Sequence, residues 1–202
     1  MAEVDVDAYT GRWYNVYYDL PTVAFSTPDC QTAFYAKVGS GAPTLTVNNS
    51  GLCFESIDLG CTGNPASFQV DGQTTYITGL ASQKGGAAAG DLRLNLDGVG
   101  REASYHIAKL VPKTYGAEYY QYSVVSDDTG VILYVLARDV PDFFETYDAE
   151  VRDFLKEYGF KGPLFKPLKN KQNGCPVGDA IYANAFDSAA APPVLANDAT
   201  SA

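Results

Sequence analysis

Leu92, Leu94 and Leu96 alternate with Arg93, Asn95 and Asp97. A two-residue period puts alternate side chains on opposite faces of an extended strand, one face apolar and one wet. Short runs rich in Tyr, Phe, Val and Thr repeat that character at residues 12–18, 31–38, 44–47, 74–80, 104–110, 119–126 and 131–137, with a weaker one at 67–70. Turn-forming clusters separate them: residues 21–29, Gly39-Ser40-Gly41-Ala42-Pro43, residues 82–90, and Asp127-Asp128-Thr129-Gly130, which suits a tight hairpin. Residues 48–73 are turn-rich. The period then changes once. Phe143, Tyr147, Val151, Phe154 and Tyr158 recur at helical spacing among charged residues, with Pro141 suited to a first turn and Gly159 to a stop. This predicts one amphipathic helix over about 141–159, its aromatic stripe packed on a sheet. About eight strands followed by one helix predict an all-β fold. It is an eight-stranded antiparallel up-and-down β-barrel with one C-terminal α-helix packed on its wall. Residues 1–8 read as a polar N-terminal lead, 9–178 as the barrel and helix, and 179–202 as a disordered tail.

Charge narrows the partners. Asp and Glu number 24 against 14 Lys and Arg, a net charge of −10. A phosphate backbone or an anionic membrane surface is repelled, so no nucleic acid is expected. No run approaches the ~18 apolar residues of a transmembrane segment. The start, Met1-Ala2-Glu3-Val4-Asp5, lacks the apolar stretch of a signal peptide, so one is expected to be absent from this sequence. Gly85, Gly86 and Gly90 mimic a phosphate loop, but no helix pattern and no Lys-Ser or Lys-Thr follows.

The four Cys form no Cys-x-x-Cys, and with one His in the chain no metal site of the usual kind is expected. Two disulfides in an oxidising compartment fit best. Cys53 and Cys61 flank Gly60 and suit a local staple, which leaves Cys30 with Cys175. Closing so long a loop contributes roughly 4–5 kcal/mol in the chain-entropy model.

Three local motifs share a family likeness. Gly11-Arg12-Trp13-Tyr14, with the only Trp of the chain, is followed by Leu20-Pro21. Cys30-Gln31-Thr32-Ala33-Phe34-Tyr35 opens the second strand, and Val135-Leu136-Ala137-Arg138 closes the last. In this order they resemble the lipocalins, over roughly residues 8–178. The likeness is closest to the subgroup of apolipoprotein D, insect bilin-binding proteins and outlier lipocalins. Cys175 falls where that subgroup places the partner of the second-strand Cys. The family's Thr-Asp-Tyr turn is missing; Val111-Pro112-Lys113-Thr114-Tyr115-Gly116 stands there. The family's strand order would put residues 48–73 at the open mouth as a stapled lid. First and last strands being neighbours in a barrel, Arg138 is expected to lie over Trp13, giving Gly11, Trp13 and Arg138 structural roles.

The resemblance implies a carrier that holds a small hydrophobic molecule noncovalently in the barrel cavity, with no cofactor required. Strand alternation puts Asn15 and Tyr17 on the face of Trp13, and Leu136, Tyr134 and Ile132 on the face of Arg138. Leu92, Leu94 and Leu96 are the apolar face of the fifth strand. By likeness to bilin-binding proteins, Tyr105 and Ile107 point inward and His106 outward, and Ser123 and Val125 line the seventh strand. Such a lining suits a bilin or carotenoid chromophore. A retinoid, fatty acid or sterol is the alternative ligand. A secreted or organelle-lumen location follows from the disulfides. No catalytic residue is assigned. The competing readings are a lipocalin-fold enzyme, an isomerase or de-epoxidase using Asp19, and a pigment-assembly module with a Tyr-rich surface, for which an oligomer is expected.

Overall fold

A computed structural model of the chain describes residues 2–23, 29–39, 44–52, 69–71, 74–84, 89–112, 116, 118–173 and 175. Its strands are β1 (Gly11–Tyr18), β2 (Asp29–Lys37), β3 (Thr44–Leu52), β4 (Gln69–Asp71), β5 (Thr74–Gln83), β6 (Asp91–Leu96), β7 (Ala103–Val111), β8 (Tyr122–Ser126), β9 (Leu133–Ala137) and β10 (Leu168–Lys169). Every pairing is antiparallel. Eight strands run in the order β1-β2-β3-β5-β6-β7-β8-β9, and β9 pairs back onto β1, so the sheet closes into a barrel. Closure leaves no long unpaired edge. The short β4 and β10 are additions at the margins of β5 and β1.

The helix lies outside, as expected, but it is not uniform. Val140–Asp142 (α3) starts it, with Asp139 accepting a hydrogen bond from the Asp142 N–H at 2.9 Å and Pro141 in the first turn. A wide π-helical turn follows at Phe143–Tyr147, then Asp148–Tyr158 (α4). Gly159 and Phe160 both donate their N–H groups to the Leu155 carbonyl and end it. Phe143, Val151 and Leu155 pack with Phe160 on an outer patch of the wall made by Val16, Tyr17, Tyr122, Val124, Leu133, Val135 and Ala137. Among the described residues, no helix is long and apolar enough to cross a membrane.

Three features depart from the sequence expectations. The first is Tyr17. A bulge interrupts the β1–β9 register between Asn15 and Tyr17, so Tyr17 opposes Val135 and Tyr18 opposes Tyr134. An extra residue flips the alternation. Tyr17 therefore faces the helix, where its hydroxyl donates to Asp148 Oδ1 at 2.5 Å, and Tyr18 takes the inward place.

The second is the N-terminus. Read as a polar lead, the first residues are instead, over the described 2–8, part of the fold: Val4, Val6 and Ala8 are buried in the barrel's inner core. Val6–Tyr9 forms a helical turn (α1), capped by the Asp5 carboxylate on the Asp7 N–H. Ahead of it, the Ala2 N–H donates to the Ile107 carbonyl at 2.9 Å and the chain crosses Gly90 so closely that a Cβ there would sit 2.5 Å from the Ala2 carbonyl oxygen.

The third lies after the helix. Pairing of β1 with β2 stops at Tyr14 and Thr32. Beyond that point β10 pairs with Tyr17 and Tyr18, and the Gln172 side-chain N–H donates to the Asn15 and Gln31 carbonyls at 2.8 and 2.9 Å. Backbone groups exposed by the parting strands are thus satisfied. The Cys30–Cys175 disulfide clamps this segment, joining positions 145 apart in the sequence. Cys53, Cys61, most of the proposed lid and the 179–202 tail lie outside the described residues.

Tyr17→Phe keeps the ring against Phe143 and Phe144 but deletes the bond to Asp148. Denaturant melts should show a loss of about 1–2 kcal/mol, with the fluorescence of Trp13 unchanged; an inward Tyr17 would instead perturb the Trp13 signal.

Candidate functional site

The barrel interior has a closed end and an open end. At the closed end stands Trp13, fully buried, with its indole N–H donating to the Tyr9 carbonyl at 2.9 Å. Gly11 two residues earlier takes φ 93, a conformation that a side chain would strain. The Arg138 guanidinium lies over the indole, its Cζ 3.8 Å from the ring centroid. It donates to the carbonyls of Arg12 and Thr10, each at 2.6 Å, and to those of Ala8 at 3.2 Å and Tyr120 at 3.3 Å. Burial lowers its pKa to about 10 from 12.5, because desolvation disfavours the charged form.

Above Trp13 is a chain of hydroxyls. Tyr9, contributed by α1, reaches Tyr105 at 2.8 Å and Ser123 at 3.0 Å, and Tyr105 reaches Tyr35 at 3.0 Å. Leu45, Val47, Leu92, Ile107, Leu110 and Tyr120 fill the space around them. Desolvation raises the Tyr9 pKa to about 12 and pushes Tyr105 well above its ordinary value, the neighbouring tyrosines adding to the shift at Tyr105.

Towards the other end the lining opens. Leu96, Ala103 and Tyr134 pack on the inner core yet are partly exposed, as is Tyr18, the cross-strand partner of Tyr134. Asn49 joins them. It lies two residues from inward Val47 and opposite inward Ala33, so it shares their face, and it too is partly exposed. Solvent thus reaches inward-facing residues at this end.

Most of the residues expected to line the interior come together here. Leu92, Leu94, Tyr105, Ile107, Val125 and Leu136 are in the inner core, with Leu96 and Tyr134 packed against it. Ser123 is inside, bonded to Tyr9. Asn15 is buried opposite Leu136 and hydrogen-bonded to Gln31 at 2.6 Å. Tyr17 is excluded by the bulge. Ile132 precedes β9, with its N–H on Asp127 Oδ1, and is not part of the inner core. A second bulge, between Ile107 and Lys109, turns Leu110 inward and lets Ala108 pack on the outer patch. Alternation alone missed Tyr9, Tyr18, Tyr35, Asn49 and Leu110. Ala33 and Tyr35 alternate in the second strand and carried a signal for Tyr35; the others depend on bulges, on β3 extending to Leu52, or on α1.

The residues of the competing readings lie elsewhere. Asp19 is buried and accepts from the Thr22 N–H at 3.0 Å and the Thr22 hydroxyl at 2.5 Å, while Thr22 Oγ1 accepts from the Leu133 N–H. Desolvation raises its pKa, and Thr22 only partly offsets this. It fastens the turn Leu20–Val23 (α2) to β9. His106 faces outward, 3.1 Å from Asp91, and Ser126 is its partner on β8. Ser126 Oγ makes no hydrogen bond and is buried, so the row Asp91–His106–Ser126 lacks the nucleophile–base contact of a catalytic triad. Tyr9, Tyr17, Tyr35, Tyr105, Tyr120 and Tyr122 are buried, while Tyr119 and Tyr158 are exposed.

No family model matches the chain, and no curated protein matches it. Among solved structures, it is similar to the major allergen Per a 4 from cockroaches at 16% identity, over 85% of this chain and 90% of that one, with a TM-score of 0.49.

The buried tyrosines set an alkaline limit. A phenol whose pKa is raised by folding stays protonated in the native state after the unfolded chain has begun to lose that proton near pH 10. Stability from Tyr9, Tyr17, Tyr18, Tyr105 and Tyr122 is therefore complete below pH 10 and falls as pH rises above it. The lowered Arg138 acts the other way, as one group against five. Phenolate absorbance should show these tyrosines ionising only as the protein unfolds above pH 10, with urea midpoints dropping over the same range. Simple titration of all 15 Tyr near pH 10 in the folded protein would contradict this burial.

Proposed function

We propose that the protein is a carrier of lipocalin type that binds one small hydrophobic molecule noncovalently in the open half of the barrel. The observation that supports this most is the contrast along the interior. Its floor is sealed by Trp13, Arg138 and the tyrosine chain, while Tyr18, Asn49, Leu96, Ala103 and Tyr134 are inward yet solvent-exposed in part. A cavity closed at one end and lined by apolar and aromatic groups with a few polar atoms is suited to such a ligand. Bilins and carotenoids are the favoured classes, with retinoids, fatty acids and sterols as further candidates. Binding is noncovalent at Cys30 and Cys175, which are bonded to each other. The same disulfide supports a secreted or lumenal location. Tyr134 and Leu96 contact the ligand, with Tyr18 in the role that alternation gave to Tyr17, and the tyrosine chain forms the floor beneath it.

Titration with biliverdin, a xanthophyll, retinol and a fatty acid, read by quenching of Trp13, tests this. The expected result is saturable binding of at least one of them at one molecule per chain. Failure of all four to bind would overturn the carrier reading.

A further inference from the structure

Charge is unevenly spread over this acidic chain. The net charge is −10, yet residues 158–175 hold four Lys and no Asp or Glu. That stretch lies at the open mouth. Gly162–Phe165 is a helical turn (α5) in contact with α2, and α2 is tied to the start of β9 by the Leu133 N–H donating to Thr22 Oγ1. The residues after α5 are fixed along the end of β1. There β10 pairs with Tyr17 and Tyr18, the Asn170 N–H donates to the Val16 carbonyl at 3.1 Å, and the Lys171 carbonyl accepts from the Cys30 N–H at 2.8 Å. Apolar side chains are left in water on these turns. Leu164 on α5 is 53% exposed and Leu20 on α2 is 47% exposed. Lys161 and Lys166 flank α5, Lys171 follows β10, and all three are exposed. Among the described residues none of the three makes an ion pair, whereas Lys37, Lys109 and Lys156 each meet a carboxylate.

We propose that this face of the open mouth docks on an anionic phospholipid surface, with Leu20 and Leu164 entering the headgroup layer and Lys161, Lys166 and Lys171 meeting its anionic groups. The proposal goes beyond the carrier reading and does not depend on it. Exposed leucines are stabilised on leaving water, and each ammonium held near an anionic membrane adds attraction. A lysine stem can lie along apolar surface while its charge stays with the headgroups. A protein partner fits less well, because Lys is depleted in the cores of protein–protein interfaces. The net charge opposes attraction at long range. In physiological salt, however, charges act over only about 8 Å, so the face that touches the surface decides. Docking in this orientation turns the mouth of the barrel toward the lipid.

Cosedimentation of the full chain with vesicles of phosphatidylcholine and phosphatidylserine in equal parts tests this, with pure phosphatidylcholine vesicles for comparison. The protein should bind the mixed vesicles, bind the neutral ones more weakly, and come off as salt is added. Lys161→Gln combined with Lys166→Gln should weaken partition about 25-fold, at about fivefold for each lysine. Leu164→Asn should weaken it about fivefold. Lys84→Gln, just past β5 at the closed end, alters the net charge as much as either single lysine change and should leave binding as it was. All four positions are exposed, so thermal melts of the variants should match wild type. No binding to the mixed vesicles, mouth variants that bind as wild type does, or an equal loss from Lys84→Gln would overturn the proposal. Self-association without vesicles that the mouth variants abolish would also overturn it, because the face would then join two copies of the chain. Ligand titration without vesicles, read by Trp13 quenching, reports on the carrier reading separately.

Discussion

Arg138 holds the closed end together. Its guanidinium is stacked on Trp13 and distributes hydrogen bonds to carbonyls from the N-terminal turn, the start of β1 and the connection into β8. The last of these is more than a hundred residues of sequence from the other two. An ion with five donors in a rigid plane can join them in one place; an ammonium cannot. Stacking on an indole is worth about 0.5–2 kcal/mol, and the carbonyls it satisfies would otherwise be desolvated without partners. The same contact fixes β9 beside β1, which is the pairing that closes the barrel.

Given a sealed base, the rest of the interior follows from side-chain size. Tyr9, Tyr35 and Tyr105 meet over Trp13 and consume one another's hydroxyls, so the floor is dense and dry. Farther along the strands solvent reaches the inward Tyr18, Asn49, Leu96, Ala103 and Tyr134. The apolar groups left over on the outside of β1, β8 and β9 are covered by the helix, with Lys109 bridging to Glu150 and lying 4.9 Å from the centre of the Phe154 ring.

Much of the architecture is legible in the sequence. Alternation in Leu92–Leu96 and the helical spacing of Phe143, Tyr147, Val151, Phe154 and Tyr158 each report a single local geometry, and each element is present, although Tyr158 is exposed rather than packed on the wall. The Trp13–Arg138 contact was readable because a closed barrel forces its first and last strands together. The Cys30–Cys175 pair was readable because the expected pairing of Cys53 with Cys61, which lies outside the described residues, left it over. The site was less legible, for one physical reason. A β-bulge inserts a residue without changing the composition of its strand, and it reverses the face of everything beyond it. Hence Tyr17 went outward and Tyr18 inward, two adjacent residues of one kind that period alone cannot tell apart. The first residues misled differently. Val4, Val6 and Ala8 alternate with Asp5 and Asp7, and the short apolar set was outweighed by charge. Asn49 lies in a stretch of small polar residues, Asn48-Asn49-Ser50-Gly51, that resembles a turn until its pairing with β2 and β5 is known.

The central claim is that this barrel is a container with one closed and one open end, carrying one molecule. The most direct measurement is mass spectrometry of the protein from its natural source, first under native conditions and then after denaturation and solvent extraction. The account predicts a mass excess matching one small apolar molecule per chain, released on unfolding. A native mass equal to that of the bare chain, with nothing stoichiometric in the extract, would contradict it.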